Sequence, residues 1–302
     1  ILNNTSVLAI DTETHSVSTD KGPIPFTNLI LAIGARQNPP KLQGSGAASV
    51  MTINDLADYA RFRNAVSREN PAPIVLLGAG LIGCEFANDL AGAGFNVHVV
   101  TLGEAALAPL LPVEFGHALQ MALGTLGVQW HCNTSIATVE KCETAFTVTL
   151  ANGTQMVTQA VLSATGLRPN IELAVSAGIK TNRGITVNQF METSAPSVFA
   201  IGDCAERDGT VLPYVLPLMN QARAVAKTVA GIPTPVIYPI MPVVVKTPKH
   251  PISFVLPSNA SGRWDIKGDL TGKKCLLLRD DGKLLGFALS GSANNDKAAL
   301  VK

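Results

Sequence analysis

The residues best placed to do chemistry are three glycines, Gly78, Gly80 and Gly83, in the stretch IVLLGAGLIGCEFANDL (residues 74–90). Four apolar residues, Ile74 to Leu77, precede them as a buried parallel strand. A helix carrying Cys84, Glu85, Phe86 and Ala87 follows. This is GxGxxG with its required flanks, and it points to binding the pyrophosphate of a dinucleotide. Gly78 permits the tight turn, Gly80 lets backbone approach the phosphates, and Gly83 lets helix and strand pack closely. The helix N-terminus adds unpaired N–H groups and partial positive charge. The bland alternative is a glycine-rich turn without a ligand. A second candidate is Asp203, directly after the apolar run at 197–202. A carboxylate at the carboxyl edge of a parallel sheet stands where such folds place ligands; alternatively it caps the next helix.

These residues need a scaffold, and the pattern around them supplies one. A short strand is expected at 7–11, turn chemistry at 20–23, and a buried strand ending in a small-residue turn over 26–35. A helix is expected over 52–66, capped by Thr52 or Asn54. After the motif helix, 94–100 reads as the second strand of a βαβ unit. The acidic residue that normally ends this strand and binds the adenosine ribose is replaced by Thr101, and Glu104 lies three residues on. No Arg or Lys stands nearby to receive a 2′-phosphate, which favours NADH over NADPH. A helix over 113–126, a strand at 127–131, and a meander at 136–140, 146–150 and 154–157 with an Asn152-Gly153 turn complete the unit. A strand at 160–166 closes it. A helix is expected over 219–230. Beyond 231–233 the composition changes to an apolar, proline-rich stretch and then to short strands with turns at Gly262, Gly268, Gly272 and Gly282, a small separate β-rich tail.

Composition narrows the function classes. The 302 residues carry 23 basic and 22 acidic side chains, a net charge of +1, so no affinity for nucleic acid or a membrane surface is implied. Aromatic content of 5% argues against a stacking platform for single strands. Five cysteines, Cys84, Cys132, Cys142, Cys204 and Cys275, have no metal-ligand spacing and read as reduced, buried thiols of a cytoplasmic protein. No apolar run is long enough for a membrane span, and no secretory signal is read at the N-terminus. A monomer is compatible with all of this.

Four motifs, LAIGA (31–35), GAGLIGCEFA (78–87), ATGLRPN (164–170) and AIGDCAE (200–206), resemble in order and spacing the two-dinucleotide flavoprotein oxidoreductases of the glutathione-reductase class. The tail segments YPIMPVVVKTP (238–248) and GFALSGSANNDKAAL (286–300) are similar to the C-terminal domain of rubredoxin–NAD reductases and flavorubredoxin reductases. The resemblance implies an α/β fold with a small α+β C-terminal domain. It divides the chain into FAD-binding segments at 1–44 and 166–235, an NAD(H)-binding domain at 45–165 and a tail domain at 236–302. It also implies that the flavin's own strand–glycine–helix unit lies before residue 1, that a final helix lies beyond the end, and that the chain is a fragment of a flavoprotein.

The same resemblance implies five FAD contacts. Val7 lies on the strand touching the adenine end, Glu85 lies near the flavin, and Asp203 accepts hydrogen bonds from the ribityl chain. Val215 opens the helix at the flavin's pyrimidine edge, and Lys246 approaches from the tail. Val7 and Val215 otherwise read as plain core residues, and Glu85 as a first-turn carboxylate stabilised by the helix dipole. A lysine after three valines is poorly explained by packing, and a cation there would stabilise negative charge on the cofactor. Arg168 reads as holding a loop. The implied chemistry is hydride transfer from NADH to FAD, then single electrons to rubredoxin, with no acid–base residues required. Lys249, Arg263, Lys267, Lys273 and Lys274 are candidate docking cations for that acidic partner, or a solvated face. Alkane hydroxylation and oxygen defence are the implied uses of the electrons. The competitors are a disulfide, peroxide or ferredoxin-type reductase of the same class, and a fragment that binds NAD but cannot retain FAD. His250-Pro251 resembles a disulfide-reductase motif, but 252–257 holds no Glu to complete it.

Overall fold

A computed structural model describes residues 1–108, 110–256 and 262–301. The chain forms two compact units, each built from two separate segments: Ile1–Arg36 with Leu167–Met241, and Gln37–Gly166 with Pro242–Lys302. Among the described residues no helix is long and apolar enough to cross a membrane.

The second unit is organised on a four-stranded parallel sheet, in the order Ala160–Ser163, Ile74–Leu77, Val97–Val100, Gln129–His131. Leu162 pairs with Leu76, Leu76 with Val99, and Val99 with Trp130. Covering both faces of a parallel sheet makes its strands continuous apolar runs rather than alternating ones. Leu76, Val99 and Leu162 face the helices Leu81–Gly92 and Val113–Gly124. Val75, Leu77, Val100 and Val161 face the antiparallel meander Ile136–Cys142, Ala145–Leu150, Gln155–Thr158. Each fully buried leucine here contributes about 1.5–3 kcal/mol.

The tail is a five-stranded antiparallel sheet in the order Val243–Val245, Ile252–Val255, Leu284–Ser290, Lys273–Leu278, Arg263–Gly268. Its Val245, Ile252, Phe254, Cys275 and Ala288 share one apolar core with Cys84, Ala87 and Leu90 of the motif helix.

In the first unit Val198–Ala200 pairs in parallel with Leu29–Leu31, and Ile185–Val187 with Ala205–Arg207. A meander of Val7–Asp11, Ser16–Thr19 and Gly22–Pro25 turns at Asp20-Lys21. Leu31, Ile185, Met191, Phe199 and Val225 form the core.

Several boundaries differ from the sequence expectation. The helix expected over 52–66 is Leu56–Ala65 and is capped by Asp55, whose side chain accepts from the Asp58 N–H at 2.7 Å. Neither Thr52 nor Asn54 is the cap. The helix expected from 219 begins at Val215, because Pro217 stands in the first turn, where no N–H is needed. The buried strand expected over 26–35 is only Leu29–Leu31, with Ile30 exposed, and Gly34 in the small-residue stretch after it has φ +66°. Of the five thiols, Cys84, Cys204 and Cys275 are buried, Cys132 is half-buried and Cys142 is exposed.

Candidate functional site

The glycine loop has the geometry its spacing requires, and the three glycines differ in what they do. Gly78 has φ +107°, and a side chain there would stand 2.6 Å from the Ala164 carbonyl oxygen. Gly83 has no room either, since a Cβ would stand 2.0 Å from the Gly78 carbonyl oxygen. Both positions answer to the chain's own packing. Gly80 does not: a Cβ would meet nothing within 4 Å, and φ is an ordinary −75°. Its bare backbone is the N-cap of the helix Leu81–Gly92, and no side chain caps that end. An open cradle at an uncapped helix N-terminus suits an anion, and the residues therefore fit a dinucleotide pyrophosphate.

The loop is fixed from below. The Gly78 N–H donates to Val100 O at 2.8 Å, and the Leu107 N–H donates to Ala79 O at 2.8 Å. Cys84 Sγ donates to Ala79 O at 3.4 Å, and burial pushes this thiol up to about 12, so it is a packing group. At the end of the next strand Thr101 is buried. Its Oγ1 accepts from the Gly103 N–H at 3.2 Å, closing its own loop. Glu104 is exposed.

Glu85 and Lys246 are brought together: Glu85 Oε1 accepts from the Lys246 N–H at 2.8 Å. Lys246 has an exposed side chain. Of the candidate docking cations, Lys273 is 9% exposed and therefore not available at the surface. Lys267 pairs with Asp265 at 3.2 Å and Lys274 with Asp296 at 2.9 Å, while Lys249 and Arg263 are exposed.

In the first unit the loop after Val198–Ala200 is a short 3-10 turn, Gly202–Cys204. Asp203 caps no helix, because the next one, Val215–Val229, has Tyr214 at its N-cap. Among the described residues its carboxylate accepts no hydrogen bond, and burial raises its pKa. A half-buried carboxylate with no protein donor keeps its acceptor oxygens free for a ligand, so the residue fits a hydroxyl-rich chain such as a ribityl group. Gln221, absent from the sequence-based candidates, holds the turn: its Oε1 accepts from the Gly202 N–H at 2.7 Å, and its Nε2 donates to the Tyr238 hydroxyl at 2.8 Å. Its partners lie up to 19 residues away, so no local pattern marks it. Val215 is 73% exposed at the first position of an uncapped helix, and Val7 is 44% exposed. Neither is a core residue. Arg168 is exposed and holds no loop among the described residues; Arg36 does that work, pairing with Glu172 and donating to it at 2.8 Å.

Comparison with known proteins decides the family. Residues 1–226 match the model of the pyridine nucleotide-disulphide oxidoreductases. The chain belongs to that family. Residues 235–302 match the rubredoxin binding C-terminal domain. The chain is 41% identical to the rubredoxin-NAD(+) reductase of Acinetobacter baylyi, over all of this chain and 79% of the relative. It is 43% identical to that of Alcanivorax borkumensis, over 98% of this chain and 78% of the relative. A nitric oxide reductase FlRd-NAD(+) reductase of Aeromonas hydrophila is 36% identical, over 96% and 74%. The fold of this pyridine nucleotide-disulphide oxidoreductase is matched by two solved structures. A ferredoxin reductase from Rhodopseudomonas palustris aligns with TM-score 0.87 at 24% identity, covering 97% of this chain and 74% of that one. A FAD-dependent pyridine nucleotide-disulphide oxidoreductase from Desulfovibrio vulgaris aligns with TM-score 0.86 at 22% identity, covering 98% and 80%.

Proposed function

We propose that this chain is an NADH-dependent flavoprotein reductase that passes electrons to rubredoxin. The carrying observation is the match of residues 235–302 to the rubredoxin binding domain on a chain with an open pyrophosphate cradle at Gly80. FAD, when bound, accepts a hydride from NADH and gives the two electrons up singly to the iron protein. The chain's residues then have positioning tasks. Gly78, Gly80 and Gly83 shape the NADH pyrophosphate site. Asp203 accepts hydrogen bonds from the FAD ribityl chain, Val7 touches the adenine end, and Val215 presents backbone N–H groups to the pyrimidine edge. Glu85 and Lys246 serve the flavin. Thr101 places no carboxylate against a ribose, so Glu104 is the remaining acid for that task. Lys249 and Arg263, exposed and without an ion pair among the described residues, suit an acidic partner.

A cytoplasmic setting is supported by five cysteines without a disulfide. Alkane hydroxylation and oxygen defence are the two uses of the electrons that the family resemblance offers. Stopped-flow reoxidation of the NADH-reduced protein is the test. Oxidised rubredoxin is expected to accelerate reoxidation well beyond dissolved oxygen; equal rates would refute the partner. Protein that purifies without flavin absorbance would refute the FAD role.

A further inference from the structure

The turn that carries Lys246 is tied to the motif helix at two points. Glu85 Oε1 accepts from the Lys246 N–H at 2.8 Å, and Asn88 Oδ1 accepts from the Lys249 N–H at 3.2 Å. Positions three apart on a helix share a face, so one face of Leu81–Gly92 makes both bonds. Asn88 is 7% exposed and is steadied by donating from Nδ2 to Asp89 Oδ1 at 3.0 Å. The turn is also closed on itself. Thr247 Oγ1 donates to His250 O at 2.8 Å, and the His250 N–H donates to Thr247 O at 2.9 Å. Thr247 is 1% exposed and His250 5%.

The Lys246 side chain stands outside this network. It is exposed, and among the described residues its Nζ makes neither an ion pair nor a hydrogen bond. Four hydrogen bonds hold the turn and the ammonium makes none of them, so the network fixes where the flexible lysine stem is rooted and leaves its charge free for a ligand.

We infer that Asn88, together with Glu85, is a positioning residue that sets where the Lys246 charge stands. The inference rests on the proposed role of Lys246 toward FAD and deepens it. The pull of a cation on a cofactor falls with separation and with solvent screening, so the place where the lysine stem is rooted bears on its size. Asn88 is the sharper probe of the two, since it is neutral and its loss changes geometry without changing charge.

The test compares wild type, N88A, K246M and the double variant by the midpoint potential of the bound flavin and by amide exchange at Lys246 and Lys249. K246M is expected to lower the potential, because electrons bring negative charge that the ammonium no longer offsets. N88A is expected to lower it in the same direction by less, and the double variant to match K246M alone. Losing one neutral hydrogen bond is expected to speed exchange at the Lys249 amide about two- to tenfold in N88A. An unmoved potential in K246M would overturn the proposed role of Lys246. A potential that moves in K246M but not in N88A would overturn the positioning role alone, as would effects that simply add. If N88A does not fold, N88S, polar but too short to reach the turn, carries the same expectations.

Discussion

Replacing Gly80 or Gly83 by alanine adds the same methyl group one helical turn apart, and the two variants are expected to fail in different ways. At Gly83 the methyl carbon would stand 2.0 Å from the Gly78 carbonyl oxygen and 3.0 Å from its carbon. Overpacking costs about 1–3 kcal/mol, and a clash with backbone belongs at the upper end of that range. Alanine recovers about 1 kcal/mol in helix propensity. A net loss of about 2 kcal/mol lowers the melting temperature of a unit this size by about 4–8 °C. At Gly80 the methyl meets no protein atom and φ is −75°, so the variant is expected to melt with wild type or slightly above it. Its loss appears only in binding. If the methyl displaces one charge-assisted hydrogen bond to the pyrophosphate, about 1.5–3 kcal/mol is lost, or about 10- to 150-fold in Kd for NADH. Thermal melting by circular dichroism and NADH titration by quenching of protein fluorescence separate the two. A Gly80→Ala protein that binds NADH as tightly as wild type would refute the assignment of the cradle. One that melts as low as Gly83→Ala would refute its geometry.

Three further outcomes follow from the same structure. Asp203→Asn removes a carboxylate whose pKa is raised by burial, so the folded wild type resists its ionisation. That resistance costs stability once the pH exceeds the ordinary value of 3.8. The variant's apoprotein is therefore expected to be more stable than wild type at neutral pH, the advantage vanishing on acidification, while flavin retention falls; unchanged retention would count against the ribityl role. His98 and His131 share a hydrogen bond of 3.1 Å, and burial, then mutual repulsion at His98, lowers both pKa values. The unfolded chain thus binds more protons just below 6.5, and wild type is expected to lose stability as pH falls through that range. Replacing both by phenylalanine should flatten that loss in urea titrations. Native alkylation with iodoacetamide followed by mass mapping should label Cys142 first and spare Cys84, which is buried with its thiol near 12, until denaturant is added.

The glycine loop was legible because its signal is local, an apolar run, three spaced glycines and a helix within one short segment, even though Val100, Leu107 and Ala164 brace it from farther along the chain. The parallel sheet was legible for a related reason, since strands buried on both faces become unbroken apolar runs. Asn88 was not legible, because its partner amide lies 161 residues away and an asparagine inside a helix announces nothing. The residue pattern alone missed the start of Val215–Val229, which only the family resemblance set at Val215, because Pro217 breaks a helix interior but is accepted in its first turn. The exposure of Ile30, Val7 and Val215 runs against their hydropathy, and no period in the sequence tells an exposed apolar residue from one facing a core.

The division of each unit between two chain segments has a consequence for how the protein is made. Cys204 Sγ donates to Leu31 O across 173 residues, in the same region where Val198–Ala200 completes the short strand Leu29–Leu31. At about 5–20 residues per second, a ribosome needs on the order of ten to thirty seconds to supply that partner. Throughout that interval the early strand presents an unpaired edge with apolar side chains, a template for wrong pairing. Synthesis speed and chaperone access are therefore expected to govern the yield of active protein more than the stability of the finished fold.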